Sequence, residues 1–133
     1  MRYLMLIYSK ESTNGPSREE AAELRAAHYK VYDEATRKGV LLGAEPLAPT
    51  AMATTVRMQD GKALVTDGPF AETKEQLAGY YMIECDNLDE AIEWAAKIPS
   101  GCRGGEGCIE IRPLPGLPSR VDREAVTDYA LNG

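Results

Sequence analysis

Arg2-Tyr-Leu-Met-Leu-Ile-Tyr8 and Gly79-Tyr-Tyr-Met-Ile-Glu-Cys85 are the two runs on which the fold turns. Each is short, apolar and rich in aromatic and branched residues, so each reads as a strand. Side chains of a strand point alternately to its two faces. In the first run this sets Tyr3, Met5 and Ile7 against Leu4, Leu6 and Tyr8. In the second it sets Tyr81, Ile83 and Cys85 against Tyr80 and Met82. Both faces are apolar in both strands. An antiparallel sheet with one wet face alternates apolar with polar instead. The sheet that holds these strands must therefore be covered twice.

Outward from the first run, Lys10 to Pro16 is a polar loop, and a helix follows. Ser17 with Glu20 three residues on is a capping box. Leu24, His28, Val31 and Ala35 fall at helical spacing and make an inner stripe. Gly39, after Arg37 and Lys38, suits the left-handed position just past a helix end. Val40 to Gly43 is extended. Thr54–Met58 and Lys62–Thr66 flank Gln59-Asp60-Gly61, a hairpin signal. Asn87 with Glu90 caps a second helix, with Leu88, Ala91, Ile92, Ala95 and Ile98 as its stripe and Pro99 as its stop. A glycine-rich turn from Gly101 to Gly107 leads to a last alternating strand, Cys108 to Arg112. Residues 1–114 form the domain; 115–133 are a proline-bearing tail with a short helix expected within Arg120–Leu131.

Without the extra hairpin, the order is β-α-β-β-α-β, the ferredoxin-like α+β arrangement, with two helices on one face of an antiparallel sheet. Two helices cover one face only. A second copy of the chain is the simplest cover for the other, so a homodimer with sheets packed face to face is expected. The alternative cover is the C-terminal tail folded back on its own sheet.

Composition narrows the function classes. The chain has 133 residues, enough for one domain and one core. Its net charge of −6 argues against nucleic acid or an anionic membrane as the main partner. The apolar start from Tyr3 to Tyr8 is too short for a signal core or a membrane span. Cys85, Cys102 and Cys108 read as free thiols of a cytoplasmic protein, with a Cys102–Cys108 bridge as the alternative. Their spacing and the lone His28 give no metal set, and no cofactor motif is present.

Two places can carry chemistry. His28 sits on the apolar stripe of the first helix, either as a core histidine with one hydrogen bond or as a general acid or base. Thr66-Asp-Gly-Pro-Phe-Ala-Glu-Thr-Lys-Glu-Gln76 is the densest polar signal. Asp67 either closes a turn on backbone amides or lines a site with Glu72, Thr73 and Lys74. Glu110 and Arg112 share one face of the last strand, as a solvated pair or as the wall of a polar pocket.

The stretch from Thr66 through Gly79-Tyr-Tyr81, with Arg2-Tyr-Leu-Met-Leu-Ile-Tyr8, Leu88-Asp-Glu-Ala-Ile-Glu-Trp-Ala-Ala96 and Glu110-Ile-Arg-Pro113, resembles the YCII-related family and its DGPF subgroup. The resemblance implies a dimeric α+β barrel. It also implies a histidine on the first helix paired with an aspartate near the end of the second, with lyase-type acid–base chemistry on small ring compounds. His28 matches the first position. The second falls at Ile98, which is no carboxylate, so Asp67 would have to orient His28 from another loop. Glu72, Lys74 and Arg112 would then bind the substrate, Lys74 or Arg112 holding an anionic group. The DGPF resemblance also implies a setting beside alternative sigma factors, in which the chain would be a non-catalytic regulatory or protein-interaction module.

Overall fold

The structure, a computed structural model, describes residues 1–11, 15, 17–99 and 107–116. The elements run β1 (Arg2–Ser9), α1 (Arg18–Arg37), β2 (Leu41–Pro46), β3 (Thr54–Gln59), β4 (Lys62–Asp67), β5 (Gln76–Glu84), α2 (Leu88–Lys97) and β6 (Gly107–Leu114). A single 3₁₀ turn, Thr50–Met52, precedes β3. The expected short helix in the tail and the thiol of Cys102 lie outside the described residues.

Both caps form as their residue types require. The Ser17 side chain accepts from the Glu20 amide at 3.1 Å, and Asn87 accepts from the Glu90 amide at 3.0 Å. Glu90 Oε2 reaches back to the Asp86 amide at 3.1 Å, one residue beyond the cap itself. Gly39 has φ +72°, which ends α1 where a side chain would strain the backbone. At the far ends of the helices, Glu34 receives Lys97 at 2.6 Å and Lys38 at 3.5 Å, and both ammonium groups lie over Trp94. The Lys97 hydrogen bond is the main reason that the Glu34 carboxyl is held below its ordinary range.

Four strands make one sheet in the order β2-β5-β1-β6, with all neighbours antiparallel. Two helices and an antiparallel sheet make this an α+β fold, consistent with the ferredoxin-like arrangement. Register assigns the faces. Tyr3 lies opposite Ile83, and Met5 lies between Tyr81 and Ile111. This face meets the helices: Tyr3, Met5, Ile7, Tyr81 and Ile83 join Val31 of α1 with Ala91 and Ile98 in one core cluster. Met5 and Ile83 are fully buried; losing either side chain to Ala would cost about 2–5 kcal/mol.

The α2 stripe differs from expectation. Ala91 and Ile98 are buried and Trp94 and Ala95 pack beside them, whereas Leu88 and Ile92 are about half exposed. Positions 91, 94, 95 and 98 are the i, i+3, i+4, i+7 set, and 88 and 92 fall on its flank.

The opposite sheet face carries Leu4, Leu6, Tyr8, Tyr80 and Met82, none of them fully buried. No described helix lies over it. The β3–β4 hairpin forms a separate two-stranded sheet that meets the other elements only marginally. Its turn has positive φ at Asp60 and Gly61, as expected from Asp-Gly. Register puts Val56, Met58, Ala63 and Val65 on one hairpin face, and Val56, Met58 and Val65 are 60%, 70% and 60% exposed.

No described helix is long and apolar enough to cross a membrane.

Candidate functional site

The inner stripe of α1 divides in two. Its C-terminal half, Val31 and Ala35, is buried in the core. Beside its N-terminal half the sheet presents small residues, Ala44 of β2 and Ala78 and Gly79 of β5, which leave space unfilled. The result is a cleft of about 480 Å³ between α1 and the sheet. Ala21, Leu24, Arg25, His28, Tyr29 and Tyr32 line it from the helix, and Ile7 and Tyr81 from the sheet. Most of this lining is apolar, as ligand clefts generally are.

Gly79 makes the floor possible. A Cβ on it would stand 2.9 Å from the Glu45 carbonyl oxygen and 3.3 Å from the Pro46 Cα. Only a residue without a side chain lets β2 and β5 approach that closely here.

His28 and Tyr81 meet at the cleft wall. Nδ1 of His28 is 2.8 Å from the Tyr81 hydroxyl, and the two rings stack at 5.9 Å with a 19° interplanar angle. The hydroxyl also approaches the His28 carbonyl oxygen at 3.4 Å. Burial holds the imidazole below its ordinary pKa, and burial pushes the Tyr81 phenol up to about 12. At neutral pH both groups are therefore uncharged. A neutral imidazole has one donor and one acceptor nitrogen, so such a pair can pass or accept a single proton. Nε2 has no hydrogen-bond partner among the described residues, and it is not a sealed, unsatisfied atom either.

The other four expected site residues are not in this lining. Asp67 ends β4, opposite Thr54 on the exposed hairpin. Glu72 and Lys74 are exposed in the following loop. The start of that loop is tied to the hairpin: the Gly68 amide donates to the Ala53 carbonyl at 2.7 Å, and Thr55 donates to the Gly68 carbonyl at 2.8 Å. Arg112 lies beside Leu4 in register, on the sheet face away from His28, and pairs with Glu110 at 3.8 Å. The structure thus brings none of the four to His28. The residue that does meet His28 is one that sequence reasoning assigns only to the core. Strand alternation marks Tyr81 as inward-facing and says nothing of where its hydroxyl ends. Ile98 is buried in the apolar cluster, 5% exposed.

Among the described residues, no group of three His, Cys, Asp or Glu side chains could hold a metal ion. Cys85 is buried, and that burial chiefly raises its thiol pKa; Cys108 is exposed.

The family described as YCII-related domain matches residues 1–115. An uncharacterized protein of Rhizobium meliloti (strain 1021) is 42% identical over 125 residues, which covers 90% of this chain and all of that protein.

Proposed function

The chain belongs to the family of YCII-related domains, and on that premise we propose that it is a homodimeric member of the DGPF subgroup that binds a small molecule in the α1 cleft and uses His28 there as an acid–base group. One observation carries the reading: the chain's single histidine lines a largely apolar cleft of about 480 Å³, uncharged at neutral pH and, among the described residues, hydrogen-bonded through Nδ1 alone. A histidine kept for packing alone has no need of a cleft beside it. Tyr81 takes the place next to the imidazole that the family resemblance would give to a carboxylate. Asp67 sits on the hairpin, so a second copy is the route by which it would join the site.

Dimerisation is supported by two apolar surfaces of one chain. The far sheet face has Leu4, Leu6, Tyr80 and Met82 without a described cover, and the hairpin adds Val56, Met58 and Val65. An isolated two-stranded hairpin is marginal in water, and large apolar patches mark association sites. Face-to-face packing of two sheets would bury on the order of 1,600 Å² or more. This is the dimeric α+β barrel expected from the sequence. Free thiols and the acidic balance fit a cytoplasmic setting.

A second reading rests on Ile98. Its burial in the core where the resemblance expects an aspartate favours a ligand-binding regulatory module without turnover. The experiment that tests the main reading is a titration with small neutral and charged ring compounds, followed by amide NMR. Shifts confined to Leu24, His28, Gly79 and Tyr81 are expected. Shifts only on the hairpin or the far sheet face would overturn the cleft as the site. A bound compound converted by the wild type but not by His28→Gln identifies an enzyme; one recovered unchanged from both identifies the module.

A further inference from the structure

We propose that Tyr81 fixes His28 as a neutral Nε2–H donor, and that this donor and Arg25 together make the cleft a receptor for an apolar molecule carrying a carboxylate. The inference rests on the cleft being a ligand site and names what the ligand must present.

The hydroxyl of Tyr81 has one proton and two neighbours. Nδ1 of His28 is at 2.8 Å and the His28 carbonyl oxygen at 3.4 Å. The 2.8 Å contact is the stronger of the two, and at 3.4 Å the carbonyl oxygen offers the hydroxyl only a marginal hydrogen bond. A phenol donates readily and an sp² imidazole nitrogen accepts readily. The proton therefore lies on the Nδ1 side, and Nδ1 is an acceptor. In a neutral imidazole the other nitrogen then carries the hydrogen. In the resting protein the free ring atom is therefore an N–H, the proton-giving half of the acid–base group.

Arg25 lies three residues before His28, on the same face of α1, and lines the same cleft. No ion pair holds it among the described residues. Glu45 also borders the cleft, but its register partner is Tyr80, which puts both side chains on the sheet face away from α1. Two donors, one of them cationic, thus face apolar walls made by Ile7, Leu24 and Ala44. A carboxylate accepts from both, and the walls suit an apolar body.

His28 is the only histidine, so histidine-selective ¹⁵N labelling gives one pair of ring signals with no assignment problem. The wild-type protein at mildly alkaline pH should show a protonated Nε2 and a bare, hydrogen-bonded Nδ1. Tyr81→Phe should return the ring to a mixture of tautomers. A protonated Nδ1 in the wild type would overturn the assignment without needing any variant to fold. The ligand half is tested with benzoate and benzylamine as probes. Benzoate should shift the Nε2–H signal, and Arg25→Ala should weaken its binding about tenfold, as loss of one charge-assisted hydrogen bond implies. Binding of benzylamine in preference to benzoate would overturn the carboxylate inference and leave the cleft standing as a site. Failure of both probes to move any cleft signal would overturn the cleft reading and this inference together.

Discussion

Burial decides what His28 can be. The imidazole is held below its ordinary value of 6.5 because the charged form loses water there. The consequence for stability has a definite sign. Between the lowered folded value and 6.5, the unfolded chain binds a proton that the folded chain resists. The His28 contribution is therefore complete above pH 6.5 and is lost as the pH falls below it toward the folded value. Urea unfolding of the wild type and His28→Gln, from about pH 8 to about pH 5, should show the wild type losing ground to the variant at the acid end. A wild type that gains on the variant below pH 6.5 would mean that the imidazole is stabilised as a cation. Gly79 is the second residue on which the site depends. Gly79→Ala forces a Cβ to 2.9 Å from the Glu45 carbonyl, a backbone atom held in the sheet. The strands must part, at a cost of about 1–3 kcal/mol in unfolding free energy. An unchanged urea midpoint would show that the β2–β5 approach is looser than described. At this scale the sequence is half legible. His28 stands out as a lone titratable group on an apolar stripe. Tyr81 does not, because 53 residues separate the pair and only the packing of α1 over β5 brings them together.

At the scale of elements, the local signals are reliable where a short-range bond enforces them. Ser17, Asn87, Gly39 and Asp60-Gly61 each mark the boundary or turn that their chemistry demands. The α2 stripe is less legible, since Leu88 and Ile92 are as apolar as any core residue and only the rotation of the helix about its axis moves them to the flank. The polar stretch after β4 is less legible too: its backbone bonds to the hairpin at Gly68 and Phe70, and its Thr73 and Gln76 side chains bond within the loop. The hairpin itself yields a prediction. Val65 is 60% exposed in a single chain, so Val65→Lys should leave the helix and strand content of the monomer intact by circular dichroism. In the proposed dimer it would place an ammonium group in an apolar contact, and the dissociation constant should rise by roughly tenfold or more. Equal dissociation constants for the two proteins would exclude the hairpin from the interface.

The whole molecule is defined by what one chain leaves uncovered. The four-stranded sheet runs β2-β5-β1-β6, consistent with the ferredoxin-like arrangement, and the helices account for one sheet face. The two-faced composition of β1 and β5 is legible in residues 2–8 and 79–85 alone, and the described fold leaves Leu4, Leu6, Tyr8, Tyr80 and Met82 on a face that no described helix crosses. What alternation of residues cannot reveal is where a second copy would sit, because association depends on the outline of the complete surface. The cleft and the proposed dimer are thus separable in principle: one rests on the small residues opposite α1, the other on surplus apolar area. Sedimentation equilibrium at micromolar concentration tests the second claim most directly. A particle of twice 14.5 kDa is expected, and a stable particle of 14.5 kDa would contradict the dimer and leave the far face of the sheet to some other cover.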